Sequence, residues 1–248
     1  QDIRSGQRHT FNAPLFADCT GDGNLGFLAG ADFNVGREAK LETNELLAPE
    51  KSDNLVMGTS VQWNSVIEEE QSIFPDCPWA IQFDENSCTK STLGDWDWET
   101  GAFRDQVTEI EYIRDYALRV ILGNWAVLKN HPRFKNEFAN RQLAWAAYIG
   151  GKRESRRLLG DVILRQQDIE NHKEFSDACV TTTWSIDLHY PKKSACYDGE
   201  AFRSTAKHVR ITPYPIPYRC LYSRNVRNLF MAGRNVSVTH VALGTVRV

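Results

Sequence analysis

The sequence predicts an α/β fold, and three observations predict it. An apolar run near the amino end, Phe11 to Ala17, leads into a glycine-rich turn, Gly21-Asp22-Gly23-Asn24-Leu25-Gly26. A second apolar run near the other end, Leu229 to Ala232, stops at Gly233. Between them, Val107, Ile110, Ile113, Ala117, Val120, Ile121 and Leu128 recur at three- and four-residue spacing, the pattern of an amphipathic helix. A strand that ends in glycine and opens into polar residues brings backbone close to a ligand, so both glycine turns are candidate binding elements.

Taken in order, residues 11–17 read as a strand and 24–31, small and apolar, as a helix packed close to a sheet. Residues 37–54 are charged and read as a surface helix or loop. Residues 55–66 contain β-favouring stretches. Residues 67–105, with Pro75, Pro78, Trp79, Trp96 and Trp98, read as irregular structure with strands. The helix over 106–130 ends at Asn130-His131-Pro132, since proline disfavours helix in the residue before it. A second helix is expected over 136–149, broken by Gly150-Gly151, and a third over 154–164. A short helix or turn follows at 166–171, residues 177–190 are β-rich, and the prolines of 207–218 point to an extended edge.

A chain of 248 residues, 42% hydrophobic and 25% charged, suits a globular protein of one or two domains. The net charge of -3 offers no attraction to nucleic acid. No apolar run approaches the roughly 18 residues of a membrane span. The first residues lack the apolar core of a signal peptide. The six cysteines form no C-x-x-C pair, although Cys77 and Cys88 could close a loop in an oxidising compartment.

The turn at residues 21–26 matches G-x-G-x-x-G after an apolar strand, the context of a dinucleotide fingerprint. Against its being the primary fingerprint, Asp22 sets a negative charge inside the loop, and no strand-ending acid follows about 20 residues on. A calcium loop is the other reading, with Asp18, Thr20, Asp22 and Gly23 at positions 1, 3, 5 and 6 of an EF-hand pattern. Ala29 at position 12 cannot ligate, and no metal site is expected. A plain strand-to-helix turn, with glycines for positive φ, is the third reading.

Three stretches together resemble the FAD-dependent oxidoreductases of the glutathione-reductase-like flavoprotein class: residues 15–32, 151–161 and 228–248. Residues 184–191 and 216–222 also fit, in the family's order, over nearly the whole chain. The resemblance implies part of a glutathione-reductase-like FAD-binding domain, residues 1–34 and 219–248, with an inserted α+β substrate domain at 35–218. It also implies a fragment, with the primary dinucleotide-binding unit before residue 1 and the flavin-end helix after Val248. The cofactor implied is FAD, and the partner a small-molecule substrate. Thr20, Gly21, Asp22 and Gly23 would lie near the FAD diphosphate or adenosine. Gly233 and Arg234 stand where many flavoproteins have Gly-Asp, and arginine there supplies donors for a phosphate or a flavin carbonyl. Asn235, Ser237, Thr239 and His240 would sit near the isoalloxazine or the substrate.

Such an enzyme needs its protein to orient a C–H bond and to remove a hydroxyl proton. Histidine suits the second task because its pKa lies near neutrality, which makes His240 the candidate base. Asp187 and His189, two apart on a strand, share a face and are candidates for substrate contact or for pairing with Arg153 or Arg156. Lys152, Arg153, Arg156 and Arg157, read as a helix start, are candidates for an anionic group. The expected reaction is hydride transfer to flavin from a CH–OH or related group of a small organic molecule, a sugar derivative among the candidates. A non-catalytic binding module, and a polysaccharide-active hydrolase or lyase using Asp187, His189 and His240, are the alternatives.

Overall fold

A computed structural model describes residues 1–248. β1 (Phe16–Asp18) turns into α1 (Asn24–Leu28), and β2 (Phe33–Asn34) and α2 (Lys40–Thr43) follow. β3 (Thr59–Ser60), β4 (Trp63–Ile67), β5 (Leu93–Gly94) and β6 (Glu99–Thr100) precede the long helix α3 (Ile110–Asn130). Next come β7 (Arg141–Ala146), β8 (Gly151–Lys152), β9 (Arg157–Leu158) and α4 (Gln166–Glu170). β10 (Ala178–Thr182), β11 (Ile186–Lys192), β12 (Arg203–Val209), β13 (Tyr214–Pro217), β14 (Leu229–Met231) and α5 (His240–Val246) complete the order.

Helix and strand are mixed throughout, as an α/β reading requires. β1 and β14 pair in parallel, Phe16 with Leu229 and Asp18 with Met231, so the two glycine-ended strands lie side by side. The other ladders are antiparallel: β5-β4-β7, β6-β3-β8, β11-β12, β10-β13 and β2-β9. No helix is long and apolar enough to cross a membrane.

α3 is the helix the spacing predicts. Ile113, Tyr116, Ala117, Val120, Ile121, Trp125 and Leu128 are buried on one face, against Val61, Trp63, Trp98, Phe134 and Phe138. The helix stops where His131 turns extended (ψ 133°) ahead of Pro132. Lys129 then ties its end to the next strand. The buried ammonium donates to Ser72 Oγ and to the carbonyls of Phe138, Ala139 and Arg141, at 2.8–2.9 Å. Trp63, Trp98 and Trp125 are core residues, whereas Trp79, Trp96, Trp145 and Trp184 are exposed.

Two expected helices are strands. Residues 141–146 form β7 because β4 offers them a ladder, Ser65 opposite Leu143 and Ile67 opposite Arg141. The pairing overrides local helix preference. Residues 153–160 are buried without interruption. A helix on the surface would alternate buried and exposed faces, so this is an extended segment threaded through the interior. The four cations at 152–157 therefore do not share a helix face.

The reading of residues 235–248 also changes. His240–Val246 is already helix, with Thr239 Oγ1 accepting the Ala242 amide at 3.2 Å as its cap. Val241, Ala242 and Leu243 join Ile186 and Leu188 of β11 in one core. A Cβ on Gly244 would lie 3.2 Å from the Asp187 backbone, so glycine lets α5 approach β11 closely. All six cysteines are thiols, Cys77 and Cys88 included.

Candidate functional site

The carboxyl ends of β1 and β14 form one edge. The chain leaves β1 through Gly21 (φ 72°) and Gly23 (φ 64°), and leaves β14 through Gly233 (φ 103°). Side chains rarely adopt these left-handed conformations. A Cβ on Gly233 would sit 4.0 Å from Gly21 Cα, so the two turns are neighbours. Asp18, fully buried, fixes the first turn. Its Oδ1 accepts from the Thr20 amide (3.0 Å) and hydroxyl (2.7 Å), and its Oδ2 from the Gly26 amide (2.8 Å).

The charge of Asp22 is turned inward. Its carboxylate pairs with Lys152 Nζ, accepts from Ser155 Oγ at 2.8 Å and lies 3.5 Å from Arg234 Nη2. The turn therefore does not present a bare negative charge to a ligand. Arg234 packs so closely that a Cβ on Gly21 would stand 2.7 Å from its Nη2, and its Nη1 is buried without a partner.

The segment into α5 is spent on the protein itself. Asn235 Nδ2 donates to the Asp18 carbonyl at 3.1 Å, and Ser237 Oγ to the Val162 carbonyl at 2.7 Å. Thr239 Oγ1 donates to Glu45 Oε1 at 2.6 Å, and the His240 amide to Glu38 Oε2 at 2.9 Å. Burial pushes the Glu45 carboxyl up. Burial pushes Glu38 up as well, but the Arg157 charge and the His240 amide outweigh it and hold Glu38 low. The His240 ring is 2% exposed. Its Nδ1 meets Glu154 at 2.8 Å, and its Nε2 is buried with no partner.

A second charged cluster lies at the other end of α5. β11 places Asp187 and His189 on one face. His189 Nδ1 meets Glu99 Oε2 at 2.6 Å and Nε2 meets Asp187 Oδ2 at 3.2 Å. Arg153 Nη1 lies 3.0 Å from Glu99, and Arg247 Nη2 lies 3.1 Å from Asp187. Burial lowers His189, but bonding to Asp187 and Glu99 outweighs it and holds the imidazole above its ordinary value. Burial raises Glu99 and Asp187, yet His189 and the arginines hold both carboxyls low. Burial and the Arg153 charge lower Arg247.

In front of this cluster opens a cleft of about 640 Å³, lined by Trp96, Trp145, Tyr148, Lys152, Arg153 and Arg247 among others. Lys152 belongs both to the cleft and, through Asp22, to the glycine turn. Of the candidate substrate residues, Arg153 lines the cleft, while His189 and Asp187 sit behind its arginines. Arg156 does not line this cleft: its Nη1 donates to Asn24 Oδ1 of the glycine turn at 3.1 Å, and its guanidinium lies 4.1 Å from the Phe27 ring, facing a separate cleft of about 450 Å³. His240 does not line the first cleft.

The His189 cluster gives stability a pH window. The His189 share is complete below the unfolded histidine pKa of about 6.5 and is lost as pH rises through the raised folded value. The Glu99 and Asp187 shares are complete above unfolded values of about 4 and are lost as pH falls through the lowered folded values. The thermal midpoint is therefore expected to peak between roughly pH 4.5 and 6.5. His189→Gln should flatten the alkaline fall; parallel falls in parent and variant would remove His189 as its source.

Sequence reasoning missed Glu38, Glu99, Glu154 and Trp145, and it named Lys152 only as part of a basic helix start. None carries a local signal, because each gains its place from a partner far along the chain.

No curated protein and no solved structure matches the chain. A family model described as FAD dependent oxidoreductase matches residues 2–248. That match spans far more than half of the sequence, and the chain belongs to the FAD dependent oxidoreductase family.

Proposed function

We propose that the protein oxidises a CH–OH or related group of a small organic molecule, with hydride passing to flavin, and that the cleft beside the glycine turn holds the substrate. The carrying observation is Lys152, which lines the cleft and pairs with Asp22 of the turn. Dependence on FAD follows from the family. FAD supplies the two-electron acceptor when bound.

The residues present fit part of that cofactor. Gly21, Gly23 and Gly233 leave backbone without Cβ at the carboxyl ends of two parallel strands, where ligands of α/β sheets bind. Arg234 has an unpartnered, buried Nη1 beside them, a donor suited to a phosphate or a carbonyl oxygen. Thr20 and Asp22 shape the turn, and Asn235, Ser237 and Thr239 shape the passage into α5. In this reading residues 1–34 and 219–248 form the cofactor side, in a glutathione-reductase-like arrangement, and 35–218 the substrate side.

For His240 to take the hydroxyl proton, the substrate must reach past the cleft lining to this buried ring, which does not border the cleft. Glu154 holds its Nδ1, and the free Nε2 is the group a base needs. Arg247 caps the far end of α5 and anchors substrate, roughly 10 Å along the axis from His240 by helix rise. Arg153 works with Arg247, and Asp187 and His189 position both. The test is anaerobic addition of candidate alcohols to the flavin-loaded protein. Bleaching of the flavin band is expected with at least one; a flavin-free purified protein that still turns over substrate would sink the reading in favour of a hydrolase or lyase.

A further inference from the structure

The cleft wall carries charge of one sign. Lys152, Arg153 and Arg247 line it, and no aspartate or glutamate does. Their partners Asp22, Glu99 and Asp187 are withdrawn from that lining. Three cations and three carboxylates cancel, and His189, bonded to two of those carboxylates, adds positive charge when protonated. The Arg247 side chain is only 10% exposed, and its Nε is buried with no partner. An anion entering the cleft meets donors at the wall, with the partner carboxylates set behind them.

The rest of the wall is aromatic. Trp96, Trp145 and Tyr148 are 42%, 50% and 69% exposed. Exposed indoles offer large apolar faces for a ring to pack against. Arg114 already lies 4.5 Å from the centre of the Tyr148 ring, which leaves the two indoles as platforms. β7 fixes the Trp145 backbone in a ladder with Asn64 opposite.

We infer that the cleft binds a carboxylate-bearing ring, with Arg247 and Arg153 meeting the carboxylate and the indoles of Trp96 and Trp145 meeting the ring face. Sugar acids and aryl acids share this chemistry. The inference rests on reading the cleft as the substrate site.

The test is a tryptophan-fluorescence titration of the flavin-loaded protein. The probes are D-glucuronate against D-glucose, and benzoate against benzyl alcohol. At least one acid should saturate the signal and bind about tenfold or more tighter than its neutral counterpart, as expected for a hydrogen bond to a charged group. The acid that binds identifies the ring class. Arg247→Gln should abolish the preference for acid. Trp145→Ala, at a half-exposed position that keeps the fold, should weaken the acid by up to about tenfold, the worth of an aromatic contact. Equal binding of acid and neutral probes, binding of neither acid, or an unaffected Trp145→Ala variant would overturn the inference. Acid binding with neither D-glucuronate nor 4-(hydroxymethyl)benzoate, acids that do carry a CH–OH, able to reduce the flavin would defeat the substrate-site reading while leaving anion recognition intact. Flavin reduction by neutral alcohols without acid preference would do the reverse.

Discussion

Arg157→Met is expected to cost about 3–5 kcal/mol of folding stability, the range for removing one partner of a buried ion pair. Arg157 is fully buried, as is its partner Glu154. Beyond that pair, Nη2 donates to the Gly36 carbonyl and to Glu38 Oε1, both at 2.7 Å, and Nε donates to the Val238 carbonyl at 3.1 Å. One side chain thus joins the loop before α2, its own strand β9 and the approach to α5. Methionine fills much of the volume but leaves two carboxylates and two carbonyls short of a donor. Glu154 keeps the Met57 amide (2.8 Å) and His240, and Glu38 keeps the His240 amide, so the loss is large without being the full cost of bare charges. Lysine is no rescue, because a single ammonium cannot span the fork. Urea unfolding of both proteins measures the difference. A change under about 1 kcal/mol, the worth of an exposed pair, would mean that water reaches this site.

The same residue shows where sequence reasoning stops. Lys152, Arg153, Arg156 and Arg157 read as one basic helix face because they are close in sequence. In the fold they part: Lys152 reaches the Asp22 carboxylate, Arg156 the Asn24 side chain of the same turn and the Phe27 ring, Arg153 Glu99, and Arg157 the interior beside Glu38 and Glu154. Nothing local distinguishes these destinations, since each is set by a partner from another segment. β7 escaped for a related reason: its strand state depends on β4. By contrast, α3 and both glycine turns were legible. A helix buried along one face writes its period into its own residues, and a backbone at positive φ demands glycine wherever its neighbours come from. α5 falls between the two. Its Thr239 cap lies in plain view, but His240–Thr245 is buried on all sides and shows no amphipathic period.

His240→Gln is expected to slow flavin reduction by about 100- to 10,000-fold, the usual contribution of a positioned general base. A glutamine amide can still donate to Glu154 from the position of Nδ1, and the backbone amide of residue 240 still bonds Glu38. The α5 entry should therefore keep its shape, with FAD content unchanged. What glutamine cannot do is take a proton. The free Nε2 sets His240 apart: a buried ring nitrogen with no partner costs stability, and a catalytic role is one reason for a protein to keep it. His189 provides the contrast. Both of its nitrogens are held by carboxylates, so it has no lone pair to offer, and His189→Gln should act through substrate affinity and the pH window rather than through the reduction step. The measurement is single-turnover flavin reduction in the two variants at saturating substrate. If His189→Gln carries the rate loss and His240→Gln does not, the base is the other histidine, and the unpartnered nitrogen of His240 is a feature of the core alone.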